Sequence, residues 1–297
     1  MSDARRNDQG ASTAVPNDPP VGIISGGGSL PFAVADAAAR RGRRVVIFAV
    51  RGSADAGKFA PYPYHWVGVA QIGRLCRLAQ QEGCRDLVFI GTTVRPAIRE
   101  LRPDFGALFL LPRLMAMFRG GDAHLMSAVA AIFEKRGFRV IGAHDIAPEI
   151  LMPDGVVGRF EPRESDRRDI ARGLDLLRTL GRFDVGQATI VAGNHVLAVE
   201  AADGTDGMLA HVAELRRKGR IRSAGGVLVK APKPGQDRRL DLPTIGPRTI
   251  EGAVRAELTG IAVVAGDAII TEAESVRQTA DRGRLFVVGV RDDPSAR

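Results

Sequence analysis

Between Val229 and Pro247 the chain sets Lys230, Lys233, Arg238 and Arg239 beside Asp237 and Asp241, with Pro232, Pro234, Pro243 and Pro247 spaced among them. Four cations can neutralise phosphate oxygens. The two carboxylates can bind Mg²⁺ through oxygen, or one of them can orient a water. Cleaving a phosphoanhydride needs both functions, because negative charge must be shielded while a nucleophile approaches. A solvated surface loop is also charge-rich, but Leu240, Leu242 and Ile245 sit among these charges and gain from burial. Prolines restrict the backbone and lower the entropy cost of holding polar groups in place. The segment therefore reads as a site scaffold.

A second arrangement lies near the start of the chain. The apolar run 21–24 leads into Gly26, Gly27 and Gly28, and a helix is expected over 30–41. Glycines between a strand and a helix let the backbone approach an anion, and free helix N–H groups point at it. Gly26 and Gly28 match the dinucleotide fingerprint, but Pro31 stands at its third glycine and Arg51 replaces the acid after the second strand. A nicotinamide cofactor is disfavoured, although Arg51 suits a 2′-phosphate and keeps an NADP-dependent oxidoreductase as an alternative. A turn with no ligand is the plain reading. A third polar turn, 203–207, contains Thr205 and Asp206, and Asp206 can simply cap the helix after it.

These residues need elements to position them. Apolar runs at 44–50, 87–90 and 138–141 alternate with amphipathic stretches at 71–82 and 105–135. Strands apolar on both faces, alternating with helices, imply a parallel sheet covered on both sides. The fold class is thus α/β: a Rossmann-like parallel-sheet N-terminal domain over 21–151, a Pro- and Gly-marked linker over 152–163, and a second α/β domain with a mixed sheet over 164–297. In that second domain helices are expected near 165–180, 208–218 and 249–258, with strands at 188–192, 196–201, 226–230 and 285–290. Residues 1–20 lack apolar periodicity and the apolar core of a signal peptide, so a disordered tail is expected.

Composition narrows the function classes. The most apolar run, 107–118, is broken by Pro112 and Arg113 and is too short to span a bilayer. Two cysteines, Cys76 and Cys84, read as buried reduced thiols of a cytoplasmic protein. The net charge of +8 suits an anionic substrate or membrane face. Nucleic acid is not expected, since one Trp and two Tyr leave no stacking platform among basic residues. His65, His124, His195 and His211 lack metal-ligand spacing, and His144 at a strand end suits a structural hydrogen bond.

The stretches 22–31, 142–144, 184–187, 199–201 with 204–206, 230–237 and 241–246, this last reading Asp-Leu-Pro-Thr-Ile-Gly, together resemble the metal-dependent UDP-2,3-diacylglucosamine pyrophosphatase family of lipid A biosynthesis. The resemblance implies a hydrolase that splits UDP-2,3-diacylglucosamine into UMP and 2,3-diacylglucosamine 1-phosphate (lipid X). Water would attack the α-phosphate with the help of Mg²⁺ or Mn²⁺. It implies Asp241 as the essential aspartate; Asp237, from the reading of the charged loop, is the other candidate metal ligand. Gln187, Thr205, Asp206, Lys230 and Lys233 would be ligand contacts by the same resemblance, and Thr244 in the last stretch and Gly26, Gly27 and Gly28 of the glycine turn are taken as further substrate-binding candidates. Whether Asp241 binds metal or activates water stays open. The basic surface agrees with peripheral docking on the cytoplasmic face of the inner membrane, and a homo-oligomer is open. A non-catalytic lipid- or nucleotide-binding module is the remaining alternative.

Overall fold

The computed structural model describes residues 18–55, 61–92 and 122–292. The apolar run 107–118, the first part of the helical region 105–135 and all but the end of the expected tail lie outside the described residues. By its internal contacts the chain forms two compact units, the second beginning its main span at Val140.

In the first unit, β1 (Val21–Ser25), α1 (Leu30–Arg40), β2 (Val45–Val50), β3 (Tyr64–Val67), α2 (Ile72–Gln81) and β4 (Asp86–Ile90) follow one another, and the sheet order is β3-β2-β1-β4-β5, with β5 at Arg139–Val140. Strands β1, β2, β3 and β4 pair in parallel. Every residue of β1 and β2 is buried, as continuous apolar runs demand of a sheet covered on both faces. Pro31 falls in the first turn of α1, where a missing N–H costs nothing. Cys76 and Cys84 are buried thiols not joined in a disulfide, and burial pushes the Cys84 thiol up to about 11.

Asp86 opens β4 at 3% exposure. Its carboxylate is held by Arg139, at 2.7 and 2.8 Å, and by Arg43. Burial alone would raise its pKa, but these two guanidinium groups outweigh that and hold it below the usual carboxylate range.

The second unit contains α3 (Asp122–Glu134), α4 (Ala143–Ile146), β6 (Gly155–Val156), α5 (Glu164–Gly181), β7 (Ala188–Ala192), β8 (His195–Val199) and α6 (Gly204–Arg217). After these come β9 (Val227–Lys230), β10 (Thr244–Ile245), α7 (Pro247–Arg255), β11 (Gly260–Val264), β12 (Ile269–Ile270), α8 (Ala273–Gly283) and β13 (Phe286–Val290). The main sheet runs β6-β13-β11-β9-β7-β8. Strands β9, β11 and β13 are parallel, while β6, β7 and β8 run against their neighbours, so the sheet is mixed as expected.

Residue alternation sorts this sheet into two faces. Val227, Val229, Ala262 and Phe286 pack under α5 through Ile170, Leu174 and Leu177. Leu228, Ile261 and Val287 pack with Met208 and Leu209 of α6, Ile250 of α7 and Val276 of α8. The stretch 152–163 lies within this unit: Met152 belongs to the second cluster, and β6 pairs with β13. Helix α6 begins at Gly204, earlier than expected, so Asp206 stands inside its first turn and Asp203 at its N-cap.

Candidate functional site

Strand β9 delivers the first residue of the site. Leu228 faces α6, so the period of two sends Lys230 the same way, and its Nζ donates to Thr205 Oγ1 at 2.9 Å in the first turn of α6. Nζ also donates to the Thr244 carbonyl at 3.1 Å. Thr244 is positioned because β10 pairs in parallel with β12 and Ile245 is buried at 1% exposure. Leu242 is buried as well, and each such side chain contributes about 2 kcal/mol to holding the loop down. The apolar residues among the charges anchor the segment, and Pro247 opens α7 in place.

A chain of hydrogen bonds leads from Lys230 to Asp241. Thr205 donates its hydroxyl proton to Glu200 Oε1, and the backbone N–H of Gln187 donates to Glu200 Oε2 at 2.6 Å. The Gln187 side-chain amide then donates to Asp241 Oδ2 at 2.8 Å. Gln236 donates to the same oxygen at 2.6 Å, while its own Oε1 accepts the Lys233 backbone N–H at 2.8 Å. Gly186 makes the approach to Gln187 feasible: its φ is 49°, and a Cβ there would lie 2.2 Å from the Glu200 carbonyl oxygen. Gln187, Thr205, Lys230, Asp241 and Thr244 are thus brought together by the ends of β7, β8, β9 and β10. Glu200 and Gln236 complete the set, though only their place inside the resembling stretches 199–201 and 230–237 singled them out in the sequence.

The four cations of the loop are not equivalent. Lys233 pairs with Asp184, Arg238 with Asp267 at 2.6 Å, and Arg239 with Asp237 at 2.7 Å and Glu134 at 2.8 Å. Those charges are already answered. Lys230, at 6% exposure, instead bonds a hydroxyl and a carbonyl. Burial pushes its pKa down, and the nearby carboxylates of Glu200, Asp241 and Asp206 only partly restore it. When protonated, a lysine bonded to two neutral acceptors has a third N–H left to donate to an anionic oxygen.

The two candidate metal ligands differ in the same way. Arg239 grips both oxygens of Asp237 and holds its pKa below the usual range. Asp241 is exposed, and both amides converge on Oδ2, so Oδ1 carries no hydrogen bond among the described residues. No group of three His, Cys, Asp or Glu side chains suited to a metal occurs among the described residues. Mg²⁺ commonly binds through one or two carboxylates plus substrate phosphates and waters, so an open aspartate oxygen fits that ion.

The remaining candidates take no part in these hydrogen bonds among the described residues. Asp206 pairs with Arg248 at 2.7 Å on the surface. Gly26, Gly27 and Gly28 belong to the first unit. There the Gly26 N–H donates to Ile90 O at 2.9 Å and the Gly27 N–H to Thr92 O at 2.7 Å, and a Cβ on Gly26 would lie 2.4 Å from Thr92 O. Those two glycines serve the passage of the backbone beyond β4, whereas Gly28, with φ 96°, faces open space. Arg51 lies 5.7 Å from the Trp66 ring centroid, and His65 bonds Glu82 at 2.8 Å.

Known proteins resemble this chain across both units. Family models described as the LpxI N-terminal domain and the LpxI C-terminal domain match residues 20–150 and 153–288. The chain belongs to the LpxI family. A relative in that family, the UDP-2,3-diacylglucosamine pyrophosphatase LpxI of Caulobacter vibrioides, is 41% identical over 279 residues, covering 93% of this chain and 99% of that protein. Among solved structures, the biotin carboxylase domain dimer of the Hydrogenobacter thermophilus 2-oxoglutarate carboxylase aligns at 11% identity over 67% of this chain and 41% of that one. Its TM-score of 0.23 is too low to carry any argument. The LpxI-family matches therefore stand on sequence, and they span the whole hydrogen-bonded network described above.

Proposed function

We propose that this chain hydrolyses UDP-2,3-diacylglucosamine to UMP and lipid X in lipid A biosynthesis, by attack of water on the α-phosphorus. The observation that carries the reading is an aspartate aimed by two neutral amides, its other oxygen open among the described residues, in the same network as a buried lysine Nζ that no carboxylate of the described residues contacts. In the reaction a P–O bond forms from water, the bond to the bridging oxygen breaks, and the diacylglucosamine phosphate leaves. Lys230 offers its third N–H to a phosphate oxygen. Asp241 orients the water or holds the divalent ion with its open Oδ1. Mg²⁺ or Mn²⁺, when bound there, screens the charge that grows on the phosphate. Asp241 is favoured over Asp237 for this task because Arg239 occupies both oxygens of Asp237.

Gln187, Thr205 and Thr244 then act at the headgroup, with Asp206 and Lys233 at its margin. In the first unit, taken by itself, Gly28 is the one of the three glycines with open space beside it for a ligand. A lipid-linked substrate and a net charge of +8 support peripheral docking on the cytoplasmic face of the inner membrane. Among the described residues no helix is long and apolar enough to cross a membrane. The test is to incubate the purified protein with UDP-2,3-diacylglucosamine in ¹⁸O-water, with and without Mg²⁺. UMP and lipid X are expected, with the label in UMP. Folded protein that releases no UMP under either condition rejects the reading, and label in lipid X rejects attack at the α-phosphorus.

A further inference from the structure

We infer that Glu200 is a positioning residue of this site: it holds Gln187 and Thr205, and through them it sets the aim of Asp241 and Lys230. Glu200 stands one residue beyond β8 and prolongs the ladder, its backbone N–H donating to Ala188 O at 2.9 Å. Its carboxylate is divided between two partners, Oε2 taking the Gln187 backbone N–H and Oε1 the Thr205 hydroxyl. Each partner passes the constraint on. The Gln187 side chain reaches Asp241 Oδ2, and Thr205 Oγ1 accepts from Lys230 Nζ.

Hydrogen-bond polarity explains why an acid serves here. A hydroxyl has one proton, and Thr205 spends it on Glu200, so its lone pairs are left to face the ammonium. A carboxylate can only accept, so it fixes that direction and the Gln187 backbone together. A glutamine would put an NH₂ against one of the two donors, so that either the bond from the Gln187 N–H is lost or the bond with the Thr205 hydroxyl is reversed. Since both oxygens of Glu200 are already engaged, it acts through its neighbours.

The inference rests on the hydrolase reading for what the aimed groups do, and two readouts keep the two apart. In UMP-release kinetics, Glu200→Gln is expected to lower kcat by about tenfold to a hundredfold, the cost of a misaimed group, with KM within about threefold of wild type. Thr205→Val is expected to fall likewise, and Thr205→Ser, which restores the hydroxyl, to recover to within about threefold. Wild-type kcat in Glu200→Gln overturns the inference, as does a raised KM with kcat unchanged, which marks a direct substrate contact. Should Glu200→Gln fail to fold, equal kcat in the Thr205 Ser and Val variants overturns it. Should wild type release no UMP, the hydrolase reading falls by itself and ¹⁵N spectra decide the positioning. The Gln187 side-chain amide signals are expected to move in both Glu200→Ala and Asp241→Ala, and signals unmoved in Glu200→Ala overturn the inference.

Discussion

Asp86 in the first unit and Asp241 in the second are both aspartates fixed by side-chain donors, yet the donors differ in kind. Asp86 is buried and faces two guanidinium groups, which cancel its charge and lower its pKa. Asp241 is exposed and faces two carboxamides, which orient it without cancelling anything. Ionic partners make a carboxylate part of the framework, whereas amide partners leave it charged and aimed. The cations repeat the contrast, since Arg239 is tied to Asp237 and Glu134 while Lys230 is bonded to neutral oxygens. Holding an ion by neutral groups costs stability, and active sites accept that cost.

The largest effect should come from Asp241→Ala. Turnover is expected to fall by about a thousandfold, the scale of a lost acid–base or charge-stabilising group, while substrate still binds through its other contacts. Calorimetric binding beside UMP release checks both, and wild-type rates would erase the distinction between the two aspartates. Next is Lys230→Met, which removes a buried ammonium and keeps much of its volume. Its kcat/KM is expected to drop about a hundredfold while the thermal midpoint holds or rises, because replacing a buried charge with an apolar group is often neutral or stabilising. A large loss of stability would mean that Lys230 belongs to the framework.

Asp86→Ala should do the reverse. Unfolding free energy is expected to fall by about 3 kcal/mol while kcat per folded molecule stays unchanged. The pH dependence has a definite sign. The folded pKa of Asp86 lies below its ordinary value of 3.8, so its stabilising effect is full above that value and fades as pH falls through the folded pKa. The gap in denaturant stability between wild type and variant should therefore narrow on acidification below about pH 4. A gap that is constant down to pH 2 would show that packing, rather than charge, is what the substitution removes.

Much of this was legible in the sequence. Leu242 and Ile245, lodged among charges, announced an anchored loop, and the continuous apolar runs of β1 and β2 announced a parallel sheet. The central strand β11 carried an apolar run of five residues and no expectation was placed on it. Strands β10 and β12, two residues each, are too short to show a period. Charge pairing was hidden for another reason. Arg239 meets Glu134 across 105 positions, so composition could count the cations but not tell which were neutralised. The role of Glu200 escaped for the same cause, since it lies in Gln187, thirteen positions earlier and just ahead of β7.

The pairing of β10 with β12 sets how small a working piece of this protein can be. A fragment ending before residue 269 would contain Asp241, Lys230, Glu200 and Thr205 and still lack the strand on which Thr244 and Ile245 rest. Trimming from the C-terminus would thus disable the chemistry without deleting one of its participants, and engineered truncations or split versions should leave residues 244–270 on a single piece.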